Sequence, residues 1–263
     1  MRVGVFGAAG RMGATVCRAV ADDADLELVA AVDPHHEGLD LRQIAATDVA
    51  ACAGLRVASS ARAMVEAGAD VVVDFTHVDA ARENLRFCAS NRLHAVVGTT
   101  GFGESDYDEL RRLFTASNCL VAPNFAIGAV LMMRFAELAA PWFDTAEIVE
   151  MHHEGKIDAP SGTAVATAQR MAAASPSWLA DPTSSFTVDG ARGGSVDGIP
   201  IHAVRMRGAV AHQEVILGTT GQTLVLRHDT TDRTSFMPGV LLACKRIADH
   251  PGLTVGLDAF LGL

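Results

Sequence analysis

The chain has 263 residues, 49% of them hydrophobic and 20% charged, and a formal net charge of -10, the composition of a globular protein able to bury one large core or two modest ones. Its acidic balance, with no Lys/Arg run, argues against a nucleic-acid surface. The five cysteines Cys17, Cys52, Cys88, Cys119 and Cys244 show no CxxC or other ligand spacing and read as reduced, mostly buried thiols of a cytoplasmic protein.

Met1 to Gly7 gives way to glycine too early for a signal peptide. Val3 to Phe6 is a short apolar run ending at a glycine turn, and Arg11 to Ala21 has helical character. Leu26 to Val32, Val71 to Phe75, Ala95 to Val97 and Leu120 to Ala122 are further strand-like runs. Helical stretches are predicted between them at Ser60 to Ala67, Val78 to Asn91 and Glu104 to Ser117. Short β-branched runs alternating with helices predict a Rossmann-type parallel sheet built from βαβ units.

The pattern changes after Asn124. Ala126 to Phe143 predicts a long helix, Glu147 to Met151 a strand and Gly162 to Ala174 an Ala-rich helix. Ser175 to Gly198, rich in Ser, Pro, Gly and Asp, predicts a long loop. Ile201 to Met206, Gln213 to Leu217 and Thr223 to His228 read as consecutive strands, and Ser235 to Ala248 as a helix. A run of strands after a βαβ region predicts a smaller α+β domain. The expected division is 1–124 with 232–263 for the nucleotide, and 125–231 for substrate and oligomerisation. The most apolar stretch, Leu120 to Met133, is too short for a membrane span and is broken by Pro123 and Asn124, so no membrane association is expected.

Between the first strand and first helix lies Gly7-Ala8-Ala9-Gly10-Arg11-Met12-Gly13. Glycine there permits a tight turn and close approach to a pyrophosphate, whose charge suits a helix N-terminus. Ala8 and Ala9 separate the first two glycines, so the strict GxGxxG pattern is absent and a purely structural turn remains an alternative. Asp33 strengthens the dinucleotide reading, because it ends the second strand, where an acid meets the adenosine ribose hydroxyls. Gly98-Thr99-Thr100-Gly101 and Ala122-Pro123-Asn124-Phe125 follow later strands and are placed to border a nicotinamide, although both are also ordinary turn chemistry.

The densest chemistry is EMHHEGKIDAPSGTA, Glu150 to Ala164. His152, His153 and Lys156 supply positive charge and transferable protons. The amides of Ser161, Gly162 and Thr163 at a helix start suit a carboxylate, while for Ser161 helix capping alone is a sufficient account. The adjacent histidines do not form HExxH, and consecutive strand residues face opposite ways, so no metal is expected.

This block resembles the signature of the 4-hydroxy-tetrahydrodipicolinate reductases. GAAGRMG, DFTH at Asp74 to His77, GTTG at Gly98, APNFAIG at Ala122 and LRHDTTDRTSFMPGVLLA from Leu226 match the same family in order. The resemblance implies a reductase of lysine biosynthesis using NADH and/or NADPH. Hydride would pass to C4 of a cyclic imine dicarboxylate, with loss of the 4-hydroxyl as water. His152 would be the proton donor/acceptor and Lys156 a proton donor, with His153, Gly162 and Thr163 binding substrate. Gly7 through Met12, Asp33, Gly98 through Thr100 and Ala122 through Phe125 would line the cofactor. The resemblance also implies a homotetramer. Some members carry an arginine just after the ribose-binding acid, whereas Pro34 and His35 follow Asp33 here, which leaves cofactor preference open. A dehydrogenase for another small dicarboxylate and a non-catalytic nucleotide-binding regulator are the rival readings.

Overall fold

A computed structural model describes residues 1–45, 52–175 and 177–263. In chain order these form β1 (Arg2–Phe6), α1 (Arg11–Asp22), β2 (Glu27–Val32), α2 (Leu41–Ala45), α3 (Arg62–Glu66), β3 (Val71–Asp74) and α4 (Val78–Ser90). Next come β4 (His94–Val97), α5 (Glu104–Leu113), β5 (Cys119–Val121), α6 (Ile127–Ala139), β6 (Thr145–His152), α7 (Gly162–Ala174), β7 (Gly194–Val196) and β8 (Ile199–Arg205). β9 (Ala211–Thr219), β10 (Gln222–Thr230), α8 (Met237–Arg246), β11 (Leu253–Val255) and α9 (Asp258–Leu261) complete the chain. Two compact units result, Met1–Ala126 with Phe236–Leu263, and Ile127–Ser235.

The first unit contains the expected parallel sheet, in the order β11-β5-β4-β3-β1-β2. Its strands read as continuous apolar runs because both faces are covered; all four residues of β3 are buried. Met64, Leu85 and Phe114 fill one cluster against the sheet. The chain runs from β1 outward to β2, then crosses back to β3. That reversal opens a crevice at the carboxyl ends of β1 and β3, the usual ligand position in such sheets.

In the second unit the sheet is mixed, in the order β10-β9-β6-β8-β7. β6 pairs parallel with β8 and antiparallel with β9. Ala146 and Ile148 of β6 face a core shared with Met132 and Ala136 of α6, and with Ala164, Ala168 and Met171 of α7. Alternation along the strand places Glu150 and His152 on this same face.

Several boundaries differ from the sequence expectations. The long loop predicted over Ser175 to Gly198 holds β7, hairpinned to β8 through Asp197 and Gly198 with φ of 50° and 85°. Left-handed residues at both centres define a two-residue primed turn, which Asp-Gly favours. Pro176 of that loop lies outside the described residues. β11 was not anticipated; at three residues it carries too little pattern, and it forms because β5 has an edge to pair, with Cys119 N–H donating to Gly252 and Gly256 N–H to Val121. The helix expected through Phe143 ends at Ala139 and continues as a 3-10 turn over Ala140–Trp142, where Pro141 removes a donor. The stretch expected to be helical to Ser117 stops at Leu113. All five thiols are buried and unpaired.

Gly7, at φ +66°, turns the chain out of β1, and Gly13 packs on that turn. A Cβ at Gly13 would lie 2.0 Å from the Gly7 carbonyl oxygen and 2.9 Å from Ala8 Cα. Backbone cannot yield as a flexible side chain can, so Gly13→Ala should destabilise the protein by about 1–3 kcal/mol or more. A lowered urea midpoint tests this; an unchanged midpoint would show that the turn does not depend on the contact.

Candidate active site

Every residue predicted to meet a dinucleotide in the first unit lies at a strand's carboxyl end. Gly10 N–H donates to the Gly7 carbonyl (2.9 Å) and Ala14 N–H to that of Gly10 (2.9 Å), which closes the glycine turn onto α1. Gly10 and Arg11 are exposed, Ala9 and Met12 half-buried, and Ala8 buried. A tight turn leading into a twelve-residue helix fits a pyrophosphate seat.

Asp33, buried at the end of β2, accepts hydrogen bonds from the Ala9 amide (3.2 Å) and the His35 amide (3.1 Å), and its Oδ1 lies 3.0 Å from His36 Nδ1. Burial opposes its ionisation, but the hydrogen bonds from His36, His35 and Ala9 outweigh that and hold the carboxyl below its ordinary range. The structure thereby ties Asp33 to the glycine loop.

A second linked set surrounds Asp74, the last residue of β3. Its buried carboxylate accepts from Thr76 N–H (2.8 Å), Thr76 Oγ1 (2.7 Å), Thr99 Oγ1 (3.1 Å) and Asn84 Nδ2 (2.8 Å). The neighbouring Phe75 ring stands 5.8 Å from that of Phe125. Its edge fills the space beside Gly98, where a Cβ would lie 2.0 Å away. Thr99 and Phe125, on two different loops, are therefore set by adjacent residues of a third. Ala122 is buried, Thr100 and Pro123 are exposed, and Asn124 Oδ1 accepts from the Ala126 amide at 2.9 Å. The sequence reading took Asp74 only as part of a motif; a lone acid closing a VVV run was the signal for its role.

In the second unit the chemistry centres on Glu150, which is fully buried. Its Oε2 accepts from His152 Nδ1 at 2.7 Å, and its Oε1 from the Ser161 amide at 3.0 Å. Arg205, directly opposite His152 on β8, forks onto both oxygens at 2.7 and 2.8 Å. Burial raises the Glu150 pKa, but Arg205, His152 and the Ser161 amide together bring it below the ordinary glutamate range. For His152, burial lowers the pKa, Glu150 opposes that, and the charges of Lys156 and Arg205 add to the lowering.

Beyond the strand, Lys156 Nζ donates to both carboxylate oxygens of Asp158 at 2.8 and 2.7 Å. Arg205 also donates to the Asp158 carbonyl at 2.6 Å, so the loop carrying Lys156 is anchored to the cation that binds Glu150. Ser161 caps α7, its Oγ accepting from the Ala164 amide at 3.2 Å. That hydroxyl thus has a capping role, and open space lies beside Gly162, where a Cβ would meet nothing within 4 Å. Thr163 is half-buried and His153 exposed. Glu150 and Arg205 were missed as functional residues; the signal for Glu150 was parity, a carboxylate sharing a strand face with Ala146, Ile148 and His152. Among the described residues no group of three His, Cys, Asp or Glu side chains could hold a metal ion.

Comparison with known proteins agrees along the whole chain. The family model described as "Dihydrodipicolinate reductase, N-terminus" matches residues 1–125, and "Dihydrodipicolinate reductase, C-terminus" matches residues 128–261. The chain belongs to the dihydrodipicolinate reductase family. This family member is 49% identical to the 4-hydroxy-tetrahydrodipicolinate reductase of Corynebacterium urealyticum, over 100% of this chain and 99% of the relative. It is 48% identical to the enzyme of that name from Mycobacterium marinum, over 100% of both. A dipicolinate-bound dihydrodipicolinate reductase from a Paenisporosarcina species superposes with a TM-score of 0.86 at 40% identity, covering 98% of each chain.

The Glu150–Arg205 pair makes a stability test. Side-chain exposure is 0% for Glu150 and 19% for Arg205. Arg205→Met would leave the carboxylate buried without its cation, a change that typically costs about 3–5 kcal/mol. The depressed Glu150 pKa means that this stabilisation is present above the ordinary glutamate range and is lost as the pH falls through the lower, folded value. Denaturant titration of wild type and variant at neutral pH checks the size; a loss under ~1 kcal/mol, typical of an exposed pair, would overturn it.

Proposed function

We propose that this chain reduces 4-hydroxy-tetrahydrodipicolinate to tetrahydrodipicolinate in lysine and diaminopimelate biosynthesis, with NADH or NADPH as reductant and water as the leaving group. The observation that carries the reading is the connected set in the second unit. One buried carboxylate holds both His152 and the start of α7, while its arginine partner also anchors the loop bearing Lys156.

The nicotinamide cofactor supplies the hydride when bound. On this reading Gly7, Ala8, Ala9, Gly10, Arg11 and Met12 hold its pyrophosphate, and Asp33 accepts from the adenosine ribose. Gly98, Thr99, Thr100 and Ala122 through Phe125 border the nicotinamide end. Asp74 and Phe75 keep those last loops in place, so little reorganisation is needed on binding. His152 and Lys156 carry protons, and His153 with Ser161, Gly162 and Thr163 binds the cyclic dicarboxylate, Ser161 through its position at the helix start. Dipicolinate in the solved relative supports a ligand with two carboxylates.

We assign the second unit to oligomerisation as well, as a homotetramer. Register places Val149, Met151, Val204, Ile216 and Val225 on the sheet face opposite the α6/α7 core, interspersed with the charged Glu147, Glu214, Arg227 and Asp229, a mixed surface that offers both apolar contacts and ion pairs to a copy of the same chain. A cytoplasmic location fits a biosynthetic enzyme with five unpaired thiols. No helix among the described residues is long and apolar enough to cross a membrane.

Loss of NADH absorbance with enzymatically generated substrate tests the function; no turnover, with NADH still bound, would favour a regulator instead. Lys156→Ala should lower kcat by about 10²–10⁴ and leave NADH affinity nearly unchanged. A variant retaining more than half the wild-type kcat would sink the role assigned to Lys156.

NADH should be used at least as well as NADPH. Asp33 is ionised, and NADPH would bring a phosphate of about -1.5 to -2 charge beside it. Even fully hydrated, two unit charges about 4 Å apart repel by ~1 kcal/mol. Arg11, exposed at the start of α1, offsets part of that, so a modest bias is expected. Comparison of kcat/KM for the two cofactors decides it; a preference for NADPH of about tenfold or more, worth 1.4 kcal/mol, would show that a cation outweighs Asp33.

A further inference from the structure

Glu150 occupies a position on β6 that should by pattern be apolar, between Ile148 and the strand's last residue, His152. A carboxylate there costs several kcal/mol to desolvate unless its lone pairs are filled, and among the described residues it accepts from the two Arg205 nitrogens, His152 Nδ1 and the Ser161 amide. We infer that Glu150, clamped by Arg205, is the positioning residue that makes Nε2 the atom through which His152 takes up and releases its transferable proton, and that sets the start of α7 beside it. This rests on the reading of His152 as the proton donor/acceptor.

The geometry assigns the ring's tautomer. An ionised carboxylate only accepts, so at 2.7 Å from Oε2 the Nδ1 atom must carry hydrogen. A neutral His152 then has its lone pair on Nε2, and a charged one has its transferable proton there. Arg205 contributes by keeping Glu150 an acceptor; a protonated Glu150 would have to turn one oxygen into a donor and give up a contact. Because Oε1 simultaneously takes the Ser161 amide, the orientation of the ring and the position of the helix start cannot vary independently. The charges acting on the ring are Glu150 on its own strand, Arg205 on β8 and Lys156 on the following loop, while β9 places uncharged Ala211 opposite. Within this set only Glu150 favours the protonated ring.

The test follows the ring nitrogens of the full chain by nitrogen-15 NMR through the imidazole titration, with the His152 signals assigned by their loss in His152→Asn. In wild type the neutral ring should be the Nδ1–H tautomer; an Nε2–H tautomer would overturn the inference without need of any variant. In Glu150→Gln the His152 pKa should fall by about one unit, a tenfold loss of proton affinity, and the His152 limb of the kcat–pH profile should move down with it. An ion pair that merely braces the fold would leave the His152 pKa where it was, and that result also overturns the inference. If the ring responds as expected while the kcat–pH profile stays fixed, Glu150's hold on His152 stands and the catalytic reading of His152 falls.

Discussion

A buried carboxylate cannot be left half-satisfied, and Glu150 shows how far that constraint reaches. Its charge sits on the face of β6 that packs against α6 and α7, where every lost hydrogen bond goes unrepaired by water. The fork from Arg205 answers most of that cost with two parallel charge-assisted bonds. The remaining lone pairs take the His152 ring and the Ser161 amide, and the same arginine reaches the Asp158 carbonyl. The end of a strand, the turn after it and the start of the next helix are thereby one electrostatic unit. Asp158 then fixes Lys156 at the edge of that unit.

The first unit uses a related device. Asp74 terminates β3 with a buried carboxylate that gathers donors from its own loop, from α4 and from the loop after β4. Phe75 adds an apolar link to Phe125 after β5. Asp33 does the same between β2 and the glycine turn. In each case an acid at a strand's carboxyl end ties neighbouring loops, so surfaces built from irregular segments inherit the rigidity of the sheet beneath them.

Much of this was legible from residue order. The alternation of short apolar runs with helical stretches determined the parallel sheet, since strands buried on both faces have no other pattern available. The glycine turn, Asp33, the GTTG and APNF loops and the block from His152 to Thr163 were all identifiable, because each motif is local and its chemistry is carried by adjacent residues. The hairpin at Asp197-Gly198 was missed, because the polar composition around it read as one long loop.

What residue order alone left open is the set of pairings made across the sheets. Nothing near Glu150 in the chain indicates that its cation is Arg205, 55 residues away; that follows from β8 lying parallel to β6 in one register. The strand β11 exists because β5 has a free edge, not because Leu253 to Val255 has strong strand character. That the Ser161 hydroxyl caps α7 likewise came only from the structure, where it accepts from the Ala164 amide. Local pattern determines which elements form and which face of each is apolar. Tertiary structure alone decides which buried charge meets which donor, because hydrogen-bond partners across a sheet are set by register and not by distance along the chain.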